Sequence, residues 1–329
     1  MDTVLSGIRS TGHLHLGNYF GALRNFVRIQ DEYKCFFFIA DLHSLTTHPH
    51  PDDFHASVKT ILAEYLAAGL DPEKSAIYIQ SDVPEISELY VLLNMIAYVG
   101  ELERTVTFKE KVRQNPNNVN AGLLTYPVLM ASDILVHRAQ WVPVGKDQEQ
   151  HLELARVFAR RFNNMYGEEV FPEPRNLVFS GGAVKVPGLD GSGKMGKSNG
   201  NGIYLYDDEK TITKKVMKAV TDSGPAEPDS PMPEVIGNLF TLLKLVSDQS
   251  TVDYFTEKWN DCSIRYGDLK KQLAADICKM TLPIRERIDA IYNDDAYLSK
   301  VVASGRERAR ESAAATLSQV RKAVGFKSF

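Results

Sequence analysis

Ser10-Thr11-Gly12-His13-Leu14-His15-Leu16-Gly17-Asn18 gathers two glycines, two imidazoles and an amide in one short stretch. It follows a strand-like segment and opens a helix-like one. Gly12 and Gly17 let backbone approach a ligand closely. A helix N-terminus offers unpaired N–H groups and the positive end of its dipole, which suit phosphate. His15 and Asn18 stand three apart at that helix start, so both can donate to one anion. An ordinary βα turn would use the same residues, because a short glycine motif is weak evidence alone. A second cluster is Lys194-Met195-Gly196-Lys197-Ser198. Its two lysines, on flexible backbone, can close over a polyphosphate and neutralise charge on a leaving pyrophosphate. A solvated basic loop is the plain alternative.

A third group lies on a predicted helix that Pro127 opens at its first position. Met130, Asp133 and His137 recur there at helical spacing, and Asp133 sits among Leu129, Met130, Ile134 and Leu135. A carboxylate in so apolar a setting needs a partner; capping a neighbouring element is the bland reading. His43, His48, His50 and His55 also cluster. No cysteine joins them and Pro49 and Pro51 interrupt the run, so a metal site is not expected.

These residues need elements to hold them. Hydrophobic patterning predicts strands at Thr3–Ile8, Cys35–Ala40, Ala76–Gln80 and Trp141–Val144. It predicts helices at Gly17–Glu32, Asp52–Leu70, Ile86–Tyr98, Pro127–His137 and Asp147–Phe162. Strands alternating with helices imply a parallel sheet, with ligands at the carboxyl ends of the strands. Residues Ser180–Asn201 carry Gly181, Gly182, Gly188, Gly191, Gly193, Gly196 and Gly200, and read as a mobile loop rather than core. Beyond Asp208 the pattern is helical, interrupted at Pro225–Pro233.

The chain has 329 residues, room for about two domains. With 43% hydrophobic and 24% charged residues it reads as globular rather than disordered. No apolar run is long enough to span a membrane, and the first residues lack a signal-peptide pattern, so a cytoplasmic location is expected. Cys35, Cys262 and Cys278 are far apart and odd in number, which predicts buried, reduced thiols. The net charge of −4 gives no support for a basic nucleic-acid binder, so any such contact must be a local patch.

Taken together, the HxGN turn and the KMxKS loop resemble the two signatures of class I aminoacyl-tRNA synthetases, with Gly196 where a serine is usual. More specific blocks resemble the bacterial tryptophanyl-tRNA synthetase family over residues 2 to about 325. They are Leu5-Ser6-Gly7-Ile8, Asp41-Leu42-His43, the Gly100–Arg104 and Phe108–Lys111 blocks, Gly122–Pro127, Met130–Leu135, Val142–Gln148 with His151, and Ala219–Ser223. The resemblance implies an α/β fold: a doubly wound, Rossmann-like parallel-sheet catalytic domain over 1–205, completed by helices from about 285–329. An all-helical anticodon-recognition domain would occupy 206–284.

It also implies a reaction: ATP activates L-tryptophan as its adenylate, releasing pyrophosphate, and the acyl group then passes to tRNA(Trp). Mg²⁺ would accompany the ATP. Catalytic roles would fall to His15, Asn18, Lys111, Lys194 and Lys197. ATP contacts map onto Arg9, Ser10, Thr11, Gly17, Asn18, Gly145, Lys146, Asp147, Val186 and the loop Lys194, Met195, Gly196, Lys197 and Ser198. Gly196 is expected to loosen that loop. Tyr126 and Gln148 would hold the substrate amino group. Gly7, His43, Met130, Val142 and Val144 would line the indole pocket, and Asp133 would accept the indole N–H. Plain core packing is the alternative for each apolar position. Lys210, Lys214, Lys215, Lys218, Lys244, Lys270 and Lys271 are candidate tRNA contacts, or a solvated face. The family works as a homodimer. Competing readings are a tyrosine-specific synthetase, a non-catalytic paralogue that binds tryptophan or RNA, and a small-molecule nucleotidyltransferase.

Overall fold

The computed structural model describes residues 1–179, 184–191 and 193–327. Five parallel strands form one sheet in the order β3-β2-β1-β4-β5. They are β1 (Thr3–Arg9), β2 (Lys34–Ala40), β3 (Ala76–Ile79), β4 (Trp141–Val142) and β5 (Arg175–Asn176). The first four agree with the patterning to within two residues at each end; β5, a two-residue pairing beside β4, was not anticipated. Such short strands carry no period of their own.

The sheet is buried on both faces, as the unbroken apolar run of β2 requires. Its period of two divides the core. Val4, Cys35, Phe37, Ile39 and Ile77 join one hydrophobic cluster, with the Pro51–Ala67 helix, the helices between Glu209 and Tyr292 and the start of the last helix (Leu298, Val301), whose later residues Ala309, Ala313, Leu317 and Val320 lie in the other cluster. Leu5, Phe36, Phe38, Ala40, Ala76 and Tyr78 join the other, with Pro84–Asn94, Tyr126–Val136 and Glu149–Tyr166. Helices therefore cover both sides of a doubly wound sheet.

The helix expected at Gly17–Glu32 is not continuous. It starts as Leu16–Asn18, widens into a π turn over Tyr19–Leu23 and resumes as Arg24–Ile29. The segment expected to be a mobile loop is partly core. Val186, Leu189, Met195, Ile203 and Leu205 are all buried in the first cluster. The calls on Ser180, Gly181 and Gly182 fall outside the described residues. Cys35 and Cys278 are buried thiols, while Cys262 is half-buried. No helix among the described residues is long and apolar enough to cross a membrane.

The last helix, Asp295–Val324, returns to the sheet and crosses β3. The crossing depends on Gly305, where a Cβ would lie 1.8 Å from the carbonyl oxygen of Ile77. Nearby, His137 ties the two layers: its ring stacks on Phe36 at 4.3 Å, Nε2 meets the Tyr78 hydroxyl at 3.0 Å and Nδ1 meets Ser312 Oγ at 3.2 Å. Burial pushes its imidazole down to about 3, so it stays neutral in the folded chain.

Gly305→Ala must push the helix off backbone, which cannot rotate away as a side chain can. We expect a loss of about 3 kcal/mol or more in urea unfolding. Acid should also destabilise the protein. The unfolded chain protonates His137 below about pH 6.5 and the folded chain does not until about 3, so stability falls as pH drops through that window. A His137→Gln variant should show a shallower fall between pH 6.5 and 4 than the wild type in urea titrations at each pH.

Candidate active site

At the carboxyl ends of β1, β2 and β4 the chain opens a cavity of about 710 Å³. One half is apolar: Leu5, Gly7, Phe38, Met130, Ile134, Val142 and Val144 line it. Gly7 is there for space, since a Cβ would lie 2.7 Å from the Phe38 ring. Into this half projects Asp133, which is 1% exposed.

Its carboxylate is not left bare. Oδ2 accepts from His43 Nε2 at 2.8 Å, and Gln80 Nε2 donates to Oδ1 at 2.8 Å and to Oδ2 at 3.0 Å. Burial pushes the Asp133 carboxyl up, and the bonds from His43 and Gln80 hold it down. The family resemblance implies that His43 and Asp133 share one pocket; it does not point to Gln80, which is fully buried at the end of β3. Tyr126 packs its ring on His43 at 4.4 Å and on His151 at 5.6 Å. His151 in turn bonds Gln148 Oε1 at 2.9 Å and Thr107 Oγ1 at 2.7 Å. Tyr126 and Gln148 thus sit on the same wall, between the apolar half and the polar rim.

The polar half is built by the turn after β1. His15 caps the helix behind it: its Nδ1 accepts from Asn18 N–H at 3.2 Å, and Asn18 Oδ1 accepts from His15 N–H at 3.2 Å. Burial, with Lys197 and Lys194 nearby, lowers the His15 imidazole to about 4. A neutral ring whose Nδ1 accepts must carry its proton on Nε2. The reciprocal cap therefore leaves an imidazole N–H and the Asn18 amide as donors for the cavity. Gly17 does not line it; a Cβ there would sit 2.8 Å from the His15 ring, so this glycine makes room for the cap.

Glu64, unremarked in the patterning, holds the turn. It is fully buried, and its carboxylate accepts from Leu14 N–H at 2.8 Å and meets His13 Nδ1 at 2.7 Å. Ser10 is buried behind the turn, donating to Ser44 Oγ at 3.1 Å. Thr11 and Arg9 line the cavity, and Arg9 Nε is buried without a hydrogen-bond partner.

The lysine loop is fastened to this turn. Leu16 N–H donates to Ile203 O and Leu205 N–H to Leu14 O, both at 2.9 Å. Met195 is buried between Gly17 and Gly202, and its N–H donates to Val186 O at 2.8 Å. Lys197 Nζ donates to Gly12 O at 2.7 Å and to Thr11 O and Oγ1 at 3.2 Å, reaching the cavity. Burial lowers its ammonium to about 8, with Glu64 opposing and Arg9 adding to the shift.

Other expected residues lie elsewhere. Lys194 is exposed and does not line the cavity. Val186 is buried behind the loop, its carbonyl taken by Met195, and it does not reach the cavity wall. The Ser198 side chain lies outside what the structure describes. Gly145, Lys146 and Asp147 form a short turn at the cavity edge. Lys111 is exposed on the Val106–Gln114 helix and lines a neighbouring cavity of about 370 Å³, which shares Arg9, Tyr126 and Gln148 with the first.

Among the clustered histidines His43 is committed to Asp133, while His50 sits 3.7 Å from Asp52 on the surface. Two of the candidate tRNA lysines, buried Lys270 and half-buried Lys215, are engaged within the protein. Lys270 is buried and donates to Ala219 O at 2.7 Å, and Lys215 pairs with Asp207 at 2.6 Å.

Gly196 does not adopt a conformation that requires glycine. Its φ of −153° is extended backbone open to any residue, and its N–H donates to Asn201 Oδ1 at 2.9 Å. Asn201 also donates to Asp190 Oδ1 and Lys194 O. A Cβ at Gly196 would meet Asn199 at 3.5 Å, an ordinary contact. Gly196→Ser should therefore leave the melting temperature unchanged. Asn201→Ala, which strips at least three bonds from the loop, should raise amide exchange across 184–191 and 193–201 at least about tenfold by mass spectrometry.

The family model for class I tRNA synthetases (W and Y) matches residues 2–281. A tryptophan–tRNA ligase of Porphyromonas gingivalis is 66% identical over 327 residues, covering 99% of this chain and 100% of its own. The crystal structure of the Campylobacter jejuni tryptophanyl-tRNA synthetase, complexed with ADP and tryptophan, superposes with a TM-score of 0.88 at 35% identity, covering 98% of this chain and 100% of that one. A tyrosyl-tRNA synthetase of Archaeoglobus fulgidus shares the fold, with a TM-score of 0.67 at 19% identity over 87% of this chain and 90% of that one. This chain belongs to the class I tRNA synthetases of the tryptophan and tyrosine kind.

Proposed function

We propose that the protein is a tryptophan–tRNA ligase, which activates L-tryptophan with ATP and passes it to tRNA(Trp). The observation that carries this reading is Asp133, a buried acceptor in an otherwise apolar half-cavity. Indole has one polar ring group, an N–H donor, and needs one acceptor among apolar walls. Phenylalanine would leave the one acceptor position of that carboxylate not already filled by His43 and Gln80 without a donor, which costs it affinity relative to tryptophan. The likeness to tryptophan–tRNA ligases over the whole length supports the same substrate.

Tyr126 and Gln148, which line the cavity, would receive the amino group. The substrate carboxylate then faces the polar half, where it attacks the ATP α-phosphate. It is already an anion, so no general base is required. The chain's contribution is to orient the groups and to stabilise charge. His15 Nε2–H and the Asn18 amide donate to phosphate oxygens, and Lys197 supplies positive charge where pyrophosphate departs. Arg9, Thr11, Gly145, Lys146 and Asp147 complete the rim that ATP would occupy. Lys194 and Lys111 would reach the phosphates from outside it, and Mg²⁺ would enter with ATP as part of the substrate.

We read residues 206–284 as the anticodon-recognition region and the helices from about 285 as part of the catalytic layer. Exposed Lys210, Lys214, Lys218, Lys244 and Lys271 are the remaining candidate tRNA contacts. A homodimer fits the run of exposed apolar side chains Val91, Met95, Tyr98, Val99 and Val106. A cytoplasmic location fits this role in translation.

ATP–pyrophosphate exchange tests the reading. It should require tryptophan, with tyrosine and phenylalanine near background. Asp133→Ala should raise KM for tryptophan about tenfold to a hundredfold, and Lys197→Ala should lower kcat/KM about a hundredfold or more. Exchange with tyrosine in preference to tryptophan would overturn it. A pH profile adds a check on Lys197. It is charged below about 8 and loses that charge above, so kcat/KM for ATP should fall on the alkaline side of about 8. Lys197→Arg should move that limb upward.

A further inference from the structure

Asp133 cannot select an indole N–H unless it stays an acceptor. A carboxylate this deeply buried is pushed toward its neutral form, which would present a donor to the substrate instead. Three hydrogen bonds reach it from the protein, and two of them come from Gln80.

The Gln80 amide has one possible orientation. Its Oε1 lies 3.4 Å from His43 N, the N–H of which it accepts. Turning the amide over would aim a carbonyl at a carboxylate and an NH₂ at an N–H, so the nitrogen must face Asp133. The backbone fixes the base of the side chain. Gln80 follows the last residue of β3 and opens a 3₁₀ turn, with none of its surface exposed. It does not line the cavity, so it touches no substrate.

The other groups around Asp133 cannot replace it. His43 gives one bond, to Oδ2 only, and its Nδ1 is buried with no partner. Asp41 adds negative charge that raises the Asp133 carboxyl further, although its own oxygens are occupied by Ser81 and Leu42. Tyr78, whose hydroxyl is bonded to His137, and Tyr126 face the carboxylate from β3 and from its own helix, and burial holds both phenols neutral. Asp133 has room for about four accepted bonds. Three are filled from behind, leaving capacity for one donor from the cavity.

We propose that Gln80 is a positioning residue for amino-acid specificity: by donating to both oxygens of Asp133 it holds that carboxylate as the acceptor for the indole N–H. This rests on the tryptophan reading above. Gln80 acts on the substrate only through Asp133, so its loss should be felt by substrates that carry the ring N–H and not by those that lack it.

The test compares tryptophan with 3-(benzothiophen-3-yl)alanine, in which sulfur replaces the ring N–H, as substrates for ATP–pyrophosphate exchange. Gln80→Met keeps the length and loses the amide. At pH 7 it should raise KM for tryptophan about tenfold, while KM for the sulfur analogue and for ATP stay within about twofold. The preference for tryptophan should recover as pH is raised, because burial pushes the Asp133 carboxyl up and higher pH returns it to the ionised acceptor. Taking the ratio of the two amino acids at each pH cancels the titration of Lys197 and other shared groups.

Gln80→Glu serves if the Met variant does not fold. It keeps the shape and the acceptor for His43 N–H but shares a proton with Asp133, and should show the same narrowed ratio with an upward-shifted acid limb. An unchanged KM for tryptophan, or equal losses for both amino acids at every pH, would overturn the assignment and leave Gln80 as core packing. Failure of the wild type to exchange with tryptophan would instead remove the reading on which it rests, and this inference with it.

Discussion

The organisation of the site follows from one constraint: a carboxylate in a low-dielectric wall must be solvated by the protein. Asp133 is nearly fully buried on the Tyr126–Val136 helix. Water would satisfy it cheaply but would also blur the difference between an indole and a phenyl ring. The fold instead brings one imidazole from the turn after β2 and one amide from the end of β3. Both arrive at the carboxyl edge of the sheet, where adjacent parallel strands deliver their following residues to one place. The strand order 3-2-1-4-5 therefore makes the partnership possible, because β2 and β3 are neighbours and face the same helix layer.

The polar half, proposed to take the ATP phosphates, obeys a related rule with opposite sign. Here the donors proposed to meet an anion are left available because the atoms beside them are engaged within the turn. His15 spends Nδ1 on the helix cap and keeps Nε2–H. Asn18 spends its oxygen and keeps its amide. Glu64 takes up the Leu14 N–H and meets the His13 imidazole, so the turn is braced from behind by a buried carboxylate. The segment that follows the lysine loop is attached to the same turn by two backbone bonds, and the buried Met195 packs the loop against it.

Local signals in the chain were enough for much of this. The period of two in β2, the helical spacing of Met130, Asp133 and His137, and the glycines flanking His15 are short-range patterns, and the structure has the elements they imply. The resemblance to the tryptophanyl-tRNA synthetases supplied roles that spacing alone left open. What could not be read depends on distant partners. Gln80 and Glu64 look like ordinary polar residues until they meet groups about fifty positions away. Gly305 reads as a weak spot in a helix until the Ile77 carbonyl is found where its Cβ would be. Lys270 has the composition of a basic surface but donates inward to Ala219. The glycine-rich segment was misjudged because glycine content reports backbone freedom, whereas Val186, Leu189 and Met195 within it decide burial.

The claim at the centre of this account is that one buried carboxylate reads the indole ring. A crystal structure of the tryptophan complex tests it most directly. The account predicts the indole nitrogen within about 3 Å of an Asp133 oxygen, the ring against Phe38, Met130 and Val142, and the Gln80 amide still bonded to the carboxylate. An indole nitrogen turned away from Asp133, or an Asp133 side chain displaced from the pocket, would contradict it.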